Sequence, residues 1–482
     1  MRKAAAMPAR ARRVVRLNNG FQLLFNLLWW MPVFYEYQRQ AGLSDGQIFG
    51  IQSIYYAAFC LLELPTGLIA DRMGQRRSMQ LGAAVMTAAN LIPVAAPSAA
   101  GFLAHFLAVA TARSLVSGAA SAYLYESLHA HGAGEHYAQA EGTARALGLW
   151  AKIACWPLVG VLMHLVHAAP YVLTALSAAG GLVCALALPP LPAHPGACCE
   201  SPVCGMAPCT HARRVVGPQR SPLRFRPSAL RSHAPDAIPH RPGGRNDATS
   251  ATGPSPPPAA RERTGLRDAV RQSASVLRSS KPLGPLMVQG VGLFTLARIC
   301  QVNLFQPLLL AKAVPVAEHG AVLSAMTVAE AVGSARPSWV RSRLSDTAAV
   351  TVLSLVMALS LAATTAGGAL GTIGLLCVFA AATGLAFPIQ KMLVNSAIPP
   401  TPYRTTLLSV ESIIDRGVCA LVALAVGAFL AAGRLDALLL YAALGTCLLL
   451  AAVGLVLRLL RRNGHREPVS PVEADRARAG RP

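Results

Sequence analysis

Eight ionisable side chains fall inside long apolar runs: Glu63, Arg113, Lys152, Arg298, Glu330, Glu411, Asp415 and Arg416. Within a bilayer each ionised group costs about 2.5–3.5 kcal/mol on insertion scales, so each must face a partner or a wet cavity. Three kinds of chemistry follow. A poorly hydrated carboxyl such as Glu63 can exist in both charge states and carry a proton. Alternatively Glu63 forms a structural ion pair with Arg113. Arg113 itself either orients a protonatable acid or binds an anionic substrate. Glu411 and Asp415, four apart on one helical face, repel unless a cation intervenes. No nucleophile and base, and no His-rich set, is grouped in these runs, so an enzyme is not expected. A GxxxxGK[ST] nucleotide-binding loop is also missing.

Two clusters resemble metal ligand sets, Cys198, Cys199, Cys204, Cys209 and His211, and, further up the chain, His129, His131, Glu135 and His136. The first lies in a stretch with no fold to hold four ligands tetrahedrally, and the second reads as a short polar loop. Neither a metal nor a cofactor is expected.

The elements that position these groups follow from composition. Of 482 residues, 54% are hydrophobic and 13% charged, about half the charged fraction of roughly 25% usual in soluble proteins. Apolar runs long enough to span a bilayer are predicted at 17–38, 46–69, 78–96, 100–124, 143–166 and 169–190, and again at 283–311, 317–335, 348–366, 369–393, 403–431 and 436–460. The fold class is therefore all-α, a polytopic membrane protein with twelve spans as six plus six. A membrane barrel would instead show segments of about ten residues with alternating polarity. The N-terminal basic stretch could pass for a signal region, but the run after it is long and lacks a cleavage site, so the first span is expected to stay attached.

The charge map orients the chain. Lys and Arg number 43 against 21 Asp and Glu, a net charge of +22. With the N-terminus inside, only Arg39, Lys312 and Arg434 fall in outer loops, and Arg113, Lys152, Arg298 and Arg416 fall within spans. Both termini and the central linker are thus expected to be cytoplasmic. Topology accounts for the basic charge, and nucleic acid is not expected as a partner, since no interleaving of aromatic and basic residues supports it. Four expected parts result: a six-helix bundle (1–190), a disordered linker rich in Pro and Arg (191–265), a second six-helix bundle preceded by an amphipathic helix (266–460), and a tail (461–482). The linker holds 14 Pro and too little apolar surface to fold alone. The amphipathic helix is read from Leu266, Val270, Ala274 and Leu277 at helical spacing. Seven Cys sit singly in spans and four in the linker, so no disulfide is expected.

Between the second and third spans the chain reads ELPTGLIADRMGQRRSM. This resembles the signature of the major facilitator superfamily, Gly-x-Leu-Ala-Asp-Arg-x-Gly-Arg-Arg. It is matched by Gly67, Ala70, Asp71, Arg72, Gly74 and Arg76, with Ile69 for Leu, Gln75 for the first Arg of the pair and Arg77 following. The resemblance implies an inner gate. Asp71, repelled by its own helix dipole, would meet the start of the eleventh span near Tyr403 and Arg404, while Arg76 or Arg77 would pair with Glu126. In the fourth span, Arg113 followed by Ser117 and Gly118 looks like the family's Arg-then-Gly pattern, shifted by one residue.

Polar positions recur between the halves. Asn26 and Pro32 match Gln301 and Pro307, and Glu63 and Gly67 match Glu330 and Gly333, as expected of an internal repeat with a substrate site near the midplane. The loop at 333–346, with Arg336, Arg341 and Arg343, reads as a degraded copy of the gate motif. The resemblance implies a cavity lined chiefly by spans 1, 4, 7 and 10, with Gln22, Asn26, Trp30, Arg298 and Gln301 as its candidate substrate contacts. Glu63, Arg113 and Glu330 are the candidates for coupling. The function expected is secondary active transport of a small organic solute by alternating access, as proton-coupled efflux of drugs or metabolites from a monomer in a bacterial inner membrane. Proton-coupled uptake, or a non-transporting receptor, is the alternative.

Overall fold

In the computed structural model, residues 7–191, 280, 282–398 and 404–464 are described, with the side chains of 64, 68, 71, 404–410, 461, 463 and 464 left aside. Twelve long helical spans run through these residues. In the first half they are α1 (Ala9–Asn26, resumed at Phe34–Gln40), α2 (Asp45–Met73), α3 (Gln75–Ala95), α4 (Ala99–Ser117, resumed at Ala119–Ala130), α5 (Tyr137–Cys155, resumed at Val159–Leu165) and α6 (Ala169–Ala187). The second half has α7 (Leu283–Arg298, a π turn Ile299–Leu304, then Phe305–Ala311), α8 (Val316–Ser334), α9 (Asp346–Ala363), α10 (Ala369–Ala397), α11 (Arg404–Ala431) and α12 (Leu435–Gly464). No strand occurs among the described residues.

Every predicted span has its helix, and the differences lie at the ends and in the interruptions of α1, α4, α5 and α7. α1 starts at Ala9, well before the predicted residue 17, because Pro8 occupies the N-cap position and the exposed Arg10, Arg12, Arg13 and Arg16 can extend out of the bilayer on a helix. The last helix runs to Gly464, past the predicted 460. Residues 192–265 of the predicted linker, the amphipathic helix from Leu266 to Leu277, the linker Cys and His211, and the tail from residue 465 lie outside the described residues.

Local chemistry sets the connections. Ser44 and Gln47 form a capping box, Gln47 Oε1 accepting from the Ser44 N–H at 3.0 Å, which fixes the start of α2. Ser98 and Ser345 cap α4 and α9 in the same sense, each side chain accepting a backbone N–H. Gly74 joins α2 to α3 in a single residue at φ +86°. A side chain there would be strained, which gives the motif glycine a physical reason of its own.

Among the described residues nine helices are long and apolar enough by composition to cross a membrane. The other three, α1, α2 and α8, carry Asn26, Glu63 and Glu330. These three side chains are half-buried. The outer surface is apolar, with Leu61, Leu165, Leu370 and Leu421 all at least 70% exposed, a face suited to lipid and not to water.

Matching interruptions mark the repeat. α1 is broken over residues 27–33, around Pro32, and α7 carries its π turn just before Pro307. At these breaks the halves bond to each other: the Tyr35 N–H donates to Gln306 Oε1 at 3.0 Å, and Gln306 Nε2 donates to the Met31 carbonyl at 3.1 Å.

Candidate functional site

A cavity of about 630 Å³ lies between the halves. Its walls come from α1 (Gln22, Phe25, Asn26, Trp30), α2 (Gln52, Tyr55, Tyr56, Phe59), α4 (Phe106, Arg113, Ser117), α5 (Glu141, Arg145, Lys152), α7 (Arg298, Val302) and α11 (Arg416). One face of the molecule, here the basic face, carries the start of α1, the α2–α3 and α4–α5 loops and the end of α12. On the opposite face the halves approach through glycines. Gly160 of α5 lies against Ala317 of α8, Gly320 of α8 against the Trp156 carbonyl, and Gly427 of α11 against Phe49 of α2. None of the three leaves room for a side chain without movement. The cavity is closed there and reaches toward the basic face, where Arg145 is exposed.

The predicted cavity residues divide. Gln22, Asn26, Trp30 and Arg298 line it, whereas Gln301 does not and donates instead to Glu330 Oε2 at 3.1 Å. Asn26 Nδ2 donates to the Gln22 carbonyl at 2.8 Å and to its Oε1 at 3.1 Å, so the two amides of α1 form one unit. Trp30 is mainly a core residue: its Nε1 donates to Asn90 Oδ1 at 2.8 Å and its ring packs on Phe34, His105, Phe106 and Tyr171. The expected walls need correction, because α10 supplies no lining residue to this cavity, whereas α2 and α5 supply many. α5 was legible in YAQAEGTARALGLWAK, where Glu141, Arg145 and Lys152 recur four and seven apart on one helical face.

The ion pairs also differ from expectation. Glu63 does not meet Arg113. It faces Arg416 of the other half at 3.8 Å, and no hydrogen bond forms between them. The Arg416 guanidinium lies 3.5 Å over the Phe59 ring, and Cys60 Sγ sits 3.8 Å from the Ile413 carbonyl, so α2 and α11 touch at this level. Asp415, expected to need a cation, has one: Arg298 Nη2 donates to its Oδ2 at 2.8 Å. Tyr56 of α2 donates to Asn303 Oδ1 of α7 at 3.1 Å, another bond between the halves.

At the loop of the motif, Glu126 accepts from Gln75 Nε2 at 2.7 Å, in place of Arg76 or Arg77. Arg76 instead donates to the Leu186 carbonyl at 2.8 Å, and Gln80 to the Ala185 carbonyl at 3.1 Å. Both groups satisfy the end of α6, where the last carbonyls lack helical partners and a cation is favoured. Arg72 and Arg77 are exposed, and Gly67 lies on α2. The side chains of Asp71 and Arg404, and all of Tyr403, lie outside the described residues. In the second copy of the loop, Arg341 pairs with Asp346 at 2.7 Å and Arg343 covers the Trp339 ring at 4.4 Å. In the α4–α5 loop, His136 and Glu135 approach to 3.8 Å.

The sequence matches no family profile and no curated protein sequence. Among solved structures, the chain is similar to the crystal structure of the nucleoside transporter NupG, with a TM-score of 0.67, 12% identity, and 93% of this chain and 99% of that one covered. An aspartate-to-alanine mutant of the same transporter superposes with a TM-score of 0.68 at the same identity and coverage. Identity this low speaks to the fold alone. The chain shares the all-helical fold of that transporter, with twelve long helical spans among the described residues set around a central cavity.

Proposed function

We propose that this protein belongs to the major facilitator superfamily and is a secondary transporter of a small organic solute, working by alternating access. The observation that carries the reading is the cavity between the bundles, charged at mid-depth, sealed by glycine contacts on one face and reaching toward the other. An arrangement with one closed face is one half of such a cycle, in which one bundle rocks against the other around a fixed site. Similarity in fold to a nucleoside transporter supports the same reading.

Proton-coupled efflux across a bacterial inner membrane, with both termini and the linker cytoplasmic, is the form proposed. The basic face would then be the cytoplasmic one. A membrane potential near 150 mV supplies about 3.5 kcal/mol per proton, enough for a gradient of a few hundredfold. Glu63 and Glu330 are the proposed coupling carboxyls, each at an interface where a cation, Arg416 or Lys152, is positioned to respond to its charge. Asp71, Arg72, Arg76, Arg77 and Glu126, with Gly67 and Gly74, form the proposed inner gate. Uptake of a solute by the same machinery is the second reading.

The test is a substrate screen in an efflux-deficient host. Wild-type protein should change the accumulation of at least one solute in the panel, and Asp71→Asn should reduce that effect at equal expression. An effect of equal size in Asp71→Asn would remove the gate, and no effect of the wild type on any solute would count against transport.

A further inference from the structure

The cavity carries an excess of positive charge that the protein does not neutralise. Five cations line it, Arg113, Arg145, Lys152, Arg298 and Arg416, against one carboxylate, Glu141. Two of the five are answered from behind the wall, Arg298 by Asp415 and Arg416 by Glu63. Arg113 and Arg145 make no hydrogen bond or ion pair with any described residue, and Glu141 is engaged only by Ser121 Oγ at 3.5 Å. Lys152 touches the edge of attraction on one side, with Glu330 in electrostatic range and the Trp156 ring at 5.6 Å, and on the other side it is repelled by Arg113.

Two like charges on the wall of one cavity inside a membrane are costly, and a transporter for a neutral solute has no use for the cost. An anion between them removes it. A guanidinium offers a planar fork matched to a carboxylate or phosphate, and the neighbouring ammonium adds a point charge with rotatable donors. Tyr55, Phe59 and Phe106 supply an aromatic wall beside these cations.

We propose that the cavity binds an organic oxyanion, a carboxylate or phosphate seated between Arg113 of α4 and Lys152 of α5, with an apolar or aromatic body against Tyr55, Phe59 and Phe106. This rests on reading the cavity as the substrate site, but not on transport having been seen. Lys152 then has two competing acceptors. Without ligand it lies in electrostatic range of Glu330 of the other half, with no ion pair between them, and a bound oxyanion competes for its charge, so occupancy of the site weakens one electrostatic link between the bundles.

The test is equilibrium binding to the purified full-length protein in detergent micelles, which is independent of any flux. The probes are 3-phenylpropionate, 2-phenylethyl phosphate and the neutral 3-phenylpropionamide. At least one oxyanion should bind saturably and ten times or more tighter than the amide, and which of the two it is names the headgroup. Arg113→Gln and Lys152→Gln should each weaken that binding tenfold or more, whereas Arg434→Gln, in an exposed loop, should not. Unliganded Arg113→Gln should melt at or above the wild-type temperature, because it removes one of two repelling charges. If Arg113→Gln does not fold, Arg113→Lys replaces it and should keep the preference for the oxyanion over the amide at reduced affinity. The proposal is overturned if the amide binds as well as the anions, if neither anion binds, or if the Arg113 variant binds the oxyanion undiminished. Oxyanion binding without transport in the host screen would instead count against the transporter reading alone.

Discussion

Arg298 and Asp415 make a direct bond at 2.8 Å, with the Asp415 side chain 6% exposed and that of Arg298 32%. Removing one member of such a pair leaves the other charge uncompensated, a loss of about 3–5 kcal/mol when both are buried. Because Arg298 reaches the cavity, the lower end applies. Asp415→Asn should therefore lower the melting temperature in micelles markedly, and Arg298→Met in the same chain should recover part of it. Glu63 and Arg416 differ, since 3.8 Å without a hydrogen bond is a loose pair and Phe59 already holds the guanidinium. Glu63→Gln should cost about 1 kcal/mol or less. It should also abolish pH-driven flux in proteoliposomes if Glu63 carries the proton; full pH-driven flux would move the coupling role to Glu330. Which residues carry charge within the spans was legible from the sequence. Their pairing was not, because Glu63 and Arg416 lie far apart in the chain and meet only when α2 packs on α11.

At the scale of elements, the seam between α5 and α8 depends on Gly160 and Gly320. A Cβ on Gly320 would fall on the Trp156 carbonyl, which is backbone and cannot turn aside. Gly320→Val should push α8 from α5 and open the closed face, so that a thiol introduced at Ala317 reacts faster with an impermeant maleimide than in the parent; an unchanged rate would show that the seam absorbs the volume. The spans themselves were legible because bilayer thickness imposes a length and composition on each helix. The breaks in α1 and α7 were foreshadowed by Pro32 and Pro307. The part of α5 in the cavity was written in Glu141, Arg145 and Lys152. What hid the partner of Glu126 was competition: the exposed end of α6 offers carbonyls that take Arg76, leaving Glu126 to the shorter amide of Gln75. Gln75→Arg should turn that hydrogen bond into an exposed ion pair worth at most about 1 kcal/mol, read as a small rise in melting temperature.

For the whole molecule, the two bundles enclose charge at mid-depth, present Leu and Val to lipid, and meet face to face on one side. Alternating access requires the glycine-lined closure between α5 and α8 to part and re-form in each cycle. The measurement that tests this most directly uses Gly160→Cys and Ala317→Cys in a chain without other cysteines, reconstituted in liposomes, with the reduced double variant, whose side chain at Gly160 already spreads the seam, as the reference for flux. Flux is followed for the solute that the host screen returns. Cross-linking the pair should stop flux completely, and reduction should restore it. Undiminished flux through fully cross-linked protein would contradict the account.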